Sequence, residues 1–196
     1  MAKLKVQTGK DNPILREVSR EVVEIGGGSA SAGGKLPATG LSFGSFVKGM
    51  KKTLVSEKGL GLAAPQVGEN VRVVLCRMDA GSDREVLFVM VNPEIVEMSC
   101  GVAELRGGKG KDVELPVGVE VGEEGCLSLP GQYVQVVRAA SIVVRFKDGR
   151  GFLKGGGRTK KASELGDVEL GLHGMNARVV QHEVDHLNGV LICDKG

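Results

Sequence analysis

Between Ser42 and Ser56, apolar residues recur at Phe43, Phe46, Val47, Met50 and Leu54. This i, i+3, i+4, i+7, i+11 spacing marks the buried face of an α-helix, and Ser42 stands where a side-chain oxygen can cap the first turn. Gly44 and Gly49 weaken that helix without breaking its period. A second helix is expected over 174–188. At ~100° per residue, Met175, Val179, His182 and His186 fall in one stripe. Val180, Val184 and Leu187 form another on the opposite side, with Arg178, Gln181 and Asp185 between. A helix with two such sides is a buried one, and Asn188-Gly189 supplies its C-terminal stop. Residues 71–77, 85–91 and 141–146 are rich in β-branched side chains and read as strands, the last closed by a turn at Asp148-Gly149. The expected fold is α+β, with antiparallel or mixed sheets packed around the 174–188 helix. Glycine-rich stretches at about 26–40, 106–122 and 155–167 interrupt the pattern and read as loop insertions.

The second helix also carries chemistry. His182-Glu183-Val184-Asp185-His186 places two imidazoles about one turn apart, on one face, where both can grip a single metal ion. Glu183 sits at the edge of that face and can reach a water on the ion. Two ligands plus a general base is the arrangement for metal-assisted hydrolysis. A catalytic metal usually takes three protein ligands and keeps one position open. Four cysteines, His173 and many carboxylates compete for the third place. Cys126 stands out by its setting, Glu124-Gly125-Cys126-Leu127-Ser128-Leu129-Pro130, where glycine lets the backbone approach closely. Cys76 and Cys193 sit in apolar runs and read as small core residues, while Cys100 reads as a loop residue. A third segment, residues 59–68, combines small residues, against which an extended substrate can lie, with Gln66. Its amide can donate to a carbonyl oxygen gaining charge.

In this order the three segments resemble the signature of the peptide deformylases: G-Φ-G-x-A-A-x-Q at 59–66, E-G-C-L-S at 124–128 and Q-H-E-x-D-H at 181–186. Asp11-Asn12-Pro13-Ile14-Leu15-Arg16, Val91-Asn92-Pro93 and Asn176-Ala177-Arg178 extend the resemblance over most of the chain. It implies a metal held by Cys126, His182 and His186. The metal is usually ferrous iron, with zinc, nickel and cobalt as alternatives, since this ligand set does not select strongly among them. It implies that Glu183 moves the proton, and that Gln66 and the Leu127 backbone N–H stabilise the oxyanion. The implied substrate is the N-formyl group on the initiator methionine of a newly made polypeptide, and the products are formate and a free amine. Leu60 and Gly61 are candidates to offer main-chain groups to the peptide. Met175 and Val179, on the ligand stripe, are candidates for the wall of a methionine pocket, with plain core packing as the other reading. Glu124 and Arg138 are expected to form an ion pair, and Asp185 to support the site or pair with a basic residue. Leu129-Pro130-Gly131-Gln132-Tyr133 resembles the plant-organelle branch of the type 1 enzymes, with Tyr133 where some bacterial members have arginine.

At 196 residues the chain is expected to form a single domain over 1–196. A balance of 26 basic to 24 acidic residues and 3% aromatics without tryptophan argue against a general nucleic-acid binder with stacking platforms. The basic run Arg158-Thr159-Lys160-Lys161 reads as a solvated loop. Four cysteines without regular spacing point to a reducing compartment. No run approaches the ~18 apolar residues of a membrane span, and residues 1–10 lack a secretory core. Bacterial cytoplasm and an organelle interior both remain open. Ten residues follow His186, so the long C-terminal helix by which some family members dock on the ribosome is not expected, and ribosome contact is left without that support. Oligomeric state is not set by the sequence. The rival readings are an HExxH metallopeptidase, which would recruit a distant histidine or glutamate instead of Cys126, and a non-catalytic relative retained for another contact.

Overall fold

The computed structural model describes residues 2–25, 35–99, 101–106, 112–154 and 161–196, with only the backbone described over 101–106 and 112–117. Pro13–Arg16 (α1) is a single turn whose first N–H groups are capped by the Asn12 side chain, 3.3 Å from the Ile14 nitrogen. The first expected helix forms over Phe43–Ser56 (α2), capped by the Ser42 hydroxyl, which accepts from the Ser45 N–H. Gly49 has a packing role there. A Cβ at that position would stand 2.9 Å from the Leu4 side chain, so its absence lets the N-terminal segment lie against the helix.

The strands follow as β1 (Gly61–Ala63), β2 (Val73–Met78), β3 (Val86–Met98), β4 (Gly101–Arg106), β5 (Asp112–Val117), β6 (Val119–Cys126), β7 (Leu129–Ala139), β8 (Ser141–Asp148) and β9 (Asp167–His173), before α3 (Gly174–Leu187). One antiparallel sheet has the order β1-β2-β3-β8-β9, and β4-β5 and β6-β7 are separate antiparallel pairs. Both faces of the five-stranded sheet are covered. Val73, Leu75, Val89 and Val91 share a core with Phe43, Phe46, Val47 and Met50 of α2. Val74, Cys76, Met90, Val144 and Phe146 share another with Ala177, Val180, Val184 and Leu187 of α3. Because successive side chains point to opposite faces, β2 is apolar without alternation. A third cluster of Leu15, Cys126, Leu129, Val136, Leu191 and Ile192 lies at the β6-β7 pair.

Three expectations change. The strand expected over 85–91 continues to Met98, passing Asn92, whose backbone takes φ 52° at a register shift. Its side chain compensates by accepting from the Val22 N–H (2.8 Å) and donating to the Val22 carbonyl (3.0 Å). The stretch 106–122 is not one loop: from Asp112 it is β5 and the start of β6, where valine and leucine alternate with polar residues at the strand period. The stretch 155–167 likewise ends in a short 3-10 turn at Ala162–Glu164 and the start of β9. Positions 26–34, 107–111 and 155–160 lie outside the described residues, as do Cys100 and Arg158-Thr159-Lys160. Among the described residues no helix is long and apolar enough to cross a membrane.

Candidate metal centre and active site

Helix α3 lies between the five-stranded sheet and the β6-β7 pair, and its second side is the one the histidines occupy. His182 and His186 are one turn apart, their rings 5.0 Å between centroids. A register shift between Gly125 and Cys126 ends the β6-β7 ladder beside them. The Cys126 Sγ stands 3.1 Å from His186 Nε2, and one donor atom each from Cys126, His182 and His186 lie within 4.8 Å of one another.

The supporting groups fix which atoms face the cluster. His182 Nδ1 lies 2.9 Å from a Glu124 oxygen, leaving Nε2 for the cluster, as metal-binding imidazoles commonly require. Arg138 donates to both Glu124 oxygens at 2.9 Å and also pairs with Asp185; Arg178 donates to Glu124 at 2.8 Å. Lys195 reaches the same Asp185 at 3.0 Å. The expected Glu124–Arg138 pair is therefore present, buried, and part of a larger network. Burial opposes ionisation of Glu124, but Arg138 and His182 outweigh it and hold its carboxyl well below the usual carboxylate range. Burial likewise opposes charge on His182, yet its hydrogen bonds to Cys126 and Glu124 raise its pKa to about 10; metal binding at Nε2 would take that proton's place. His186 is pushed far below its ordinary value, by burial first and by His182 and Arg138 next, which holds its imidazole neutral.

Glu183 is 4% exposed, and its Oε2, like His186 Nδ1, is buried without a hydrogen-bond partner among the described residues. Such an orphaned acceptor beside a thiol and two imidazoles fits a site built for an ion and the water it polarises. Gly61 makes room for it: a Cβ there would lie 2.6 Å from Glu183 Cγ and 2.7 Å from Cδ. Gly61→Ala is expected to lower stability by about 1–3 kcal/mol through overpacking, read as a lower thermal midpoint. An unchanged midpoint would show that Glu183 swings away freely.

Burial raises the Glu183 pKa to about 7. In the metal-stripped protein, the folded state then holds a proton that the unfolded chain, with an ordinary value of 4.5, releases. That stabilisation is complete below pH ~4.5 and lost as pH rises through about 7. Glu183→Gln removes the dependence. After chelation, wild type and variant should differ little at pH 5, and by pH 8 wild type should be the weaker by about 2–3 kcal/mol. An equal gap at both pH values would overturn this.

A cavity of about 480 Å³ opens onto the cluster. Leu60, Gly61, Gln66, Leu127, Met175 and Val179 all line it together with Cys126, His182 and Glu183, so the structure gathers nine of the ten expected site residues on its wall, with His186 behind them. Gln66 is buried; its Oε1 accepts from the Ala63 N–H at 2.7 Å, and its Nε2 faces Cys126 Sγ at 3.7 Å and Ser128 Oγ at 3.4 Å. Met175 is 61% exposed on the rim, which excludes core packing for it, whereas Val179 both lines the cavity and belongs to the core. Sequence reasoning missed the opposite wall, Gly131, Gln132 and Tyr133 of β7, and the role of Arg178. Arg178 carried a usable signal, since it precedes His182 by one turn on the same face.

Three convergent side chains able to hold a metal ion, with a buried glutamate beside them in an open cavity, fit the class of metal-dependent hydrolases. The polypeptide deformylase family matches the chain over residues 5–154 and 159–196. A peptide deformylase of Prochlorococcus marinus is 36% identical over 150 residues, 76% of this chain and 59% of that protein, so the chain spans less than two thirds of that relative's length. One from Halothermothrix orenii is 33% identical over 184 residues, 94% of this chain and 88% of its own. The Met-Ala-Ser-bound crystal structure of the class I type b peptide deformylase from Acinetobacter baumannii has a TM-score of 0.68 and 29% identity, covering 100% of this chain and 99% of that one. The chain belongs to the polypeptide deformylase family.

Proposed function

We propose that residues 1–196 form one catalytic unit that removes the N-formyl group from the initiator methionine of newly made polypeptides, in the bacterial cytoplasm or an organelle interior. The convergence of Cys126, His182 and His186 beside the unpartnered carboxylate of Glu183 carries this reading. A divalent ion at the three ligands, with ferrous iron the expected ion and zinc, nickel or cobalt able to replace it, supplies Lewis acidity and makes water acidic near neutral pH.

The residues do the rest. Glu183 takes a proton from the attacking water as its oxygen adds to the formyl carbon. It then passes that proton to the nitrogen as the C–N bond breaks, leaving formate and a free amine. One carboxyl can serve both halves of that transfer, as a base toward the water and then as an acid toward the leaving nitrogen. Gln66 Nε2 and the Leu127 N–H are assigned to the developing oxyanion. Glu124, saturated by Arg138 and Arg178, holds the His182 ring in one tautomer. Leu60 and Gly61 present main-chain groups along the cavity edge, and Met175 with Val179 walls the space for the methionine side chain. The Acinetobacter relative, crystallised with Met-Ala-Ser, supports a peptide of that kind as the product.

Formate release from N-formyl-Met-Ala-Ser by protein loaded anaerobically with iron or nickel tests the proposal. Formate with the Met–Ala bond intact is expected. Cleavage at the peptide bond would mean a metallopeptidase, and no product from a fully metallated chain would leave a metal-binding relic.

A further inference from the structure

The two donors assigned to the oxyanion stand on different parts of the fold. Gln66 follows β1 of the five-stranded sheet, whereas Leu127 lies in the turn between β6 and β7, a pair that forms a sheet of its own. Holding the two in register needs a brace between those parts, and the N-terminal segment supplies one. The Gln7 N–H donates to the Gln66 carbonyl at 2.7 Å, and the Gly9 N–H donates to the Ser128 carbonyl at 3.0 Å. One bond grips Gln66 itself and the other grips the neighbour of Leu127. Two residues of chain span at most about 7 Å, so a short piece of backbone limits the gap between the donors. The brace is held in turn. The Leu4 N–H donates to Thr53 Oγ1 of α2 at 2.8 Å, and the Asn12 N–H donates to the Gly9 carbonyl at 3.2 Å.

The Gln66 side chain is oriented as closely as its backbone. Its Oε1 accepts from the Ala63 N–H, which leaves the two N–H groups of Nε2 as its working donors. Nε2 lies 3.4 Å from Ser128 Oγ and 3.7 Å from Cys126 Sγ. A hydroxyl that accepts from one N–H turns the other toward the metal cluster. Ser128 is fully buried, so bulk water does not compete for that hydroxyl.

We propose that Gln7, Gly9 and Ser128 are positioning residues that hold the two oxyanion donors in place before charge develops. Donors of this kind act by being preorganised, and a misplacement of about 1 Å can cost about 10²-fold in rate. None of the three residues lines the cavity, so substrate binding is spared. The consequence for rate rests on the deformylase reading of Gln66 and Leu127. The hold on the Gln66 amide does not.

Two variants test this. Ser128→Ala removes the hydroxyl, and Gln7→Pro removes the N–H that grips Gln66. Lys5→Pro is the control, a proline in the same segment at an N–H with no hydrogen bond among the described residues. In zinc-loaded protein, nuclear magnetic resonance reads the Gln66 side-chain amide, identified by its loss in Gln66→Ala. Its signals should be sharp and slow to exchange with solvent in wild type and Lys5→Pro, and broadened or fast to exchange in the two test variants. In nickel-loaded protein of equal metal content, kcat for formate release from N-formyl-Met-Ala-Ser should fall about 10–100-fold in both, with KM within a few fold of wild type. In a Gln66→Ala background, Ser128→Ala should cost almost nothing further, which a general loss of packing would not reproduce. Should Gln7→Pro fail to fold, Ser128→Ala decides alone. An equal loss in both backgrounds, a rise in KM without a fall in kcat, or an unchanged Gln66 amide in a folded variant would each overturn the proposal. A wild type that releases no formate would sink the catalytic reading, and the amide signals would still decide whether Gln66 is held this way.

Discussion

Replacing Glu183 with alanine is expected to lower kcat/KM for formate release by about 10²–10⁴-fold while the metal stays bound. The carboxylate is buried, its Oε2 has no other partner, and Gly61 leaves it no competing side chain. Its neighbours Glu124 and Asp185 are committed to Arg138, Arg178 and Lys195 and cannot take over the proton. Metal content measured beside the rate separates impaired proton transfer from departure of the ion. A variant that retains its metal and a tenth of the wild-type rate would place the base elsewhere.

Cys126→Ala is expected to release the metal and with it nearly all activity. Losing a group that merely supports a ligand typically costs ~10–100-fold in metal affinity; removing one of three ligands should cost more. The readout is metal retained after dialysis against a weak chelator, with folding checked separately, because Cys126 also packs against Leu129 and Leu191. A folded variant that kept one ion per chain would mean that another side chain completes the site, as the metallopeptidase reading requires. Cys126→Ser, which keeps the volume more nearly, should also lose the ion, because a hydroxyl does not replace a thiolate toward these metals.

The site was more legible in the sequence than the fold was. The spacing of the two histidines on α3 follows from helix geometry alone, and α2 begins with its apolar period at Phe43 and ends two residues beyond it, at Ser56. The β6-β7 pair was harder to see. Val121 and Val137 face solvent, Gly122 and Gly125 interrupt β6, and Pro130-Gly131 near the start of β7 reads as a turn. Short-range pattern reports which side of an element is buried, and this hairpin is held by buried charge as well as by the small apolar cluster around Leu129 and Val136. The period does place Glu124 two residues from Cys126 and Arg178 one turn from His182, but both are charged, so an apolar pattern does not report their burial. Their pairing across space at 2.8 Å, with Arg138 on the same carboxylate, makes burial tolerable. Met175 shows the converse, an apolar residue on a buried stripe that emerges at the cavity rim.

The hairpin's attachment carries a mechanical consequence. It supplies one of the three candidate ligands, and it is fastened to α3 side chain to side chain, through Glu124, Arg138 and Arg178, and through Gln181, which clasps both backbone groups of Ala139. An ion at the site would therefore be a rivet between two separately built parts. Its departure should let the hairpin breathe, visible as faster amide exchange along β6 and β7 than in the five-stranded sheet.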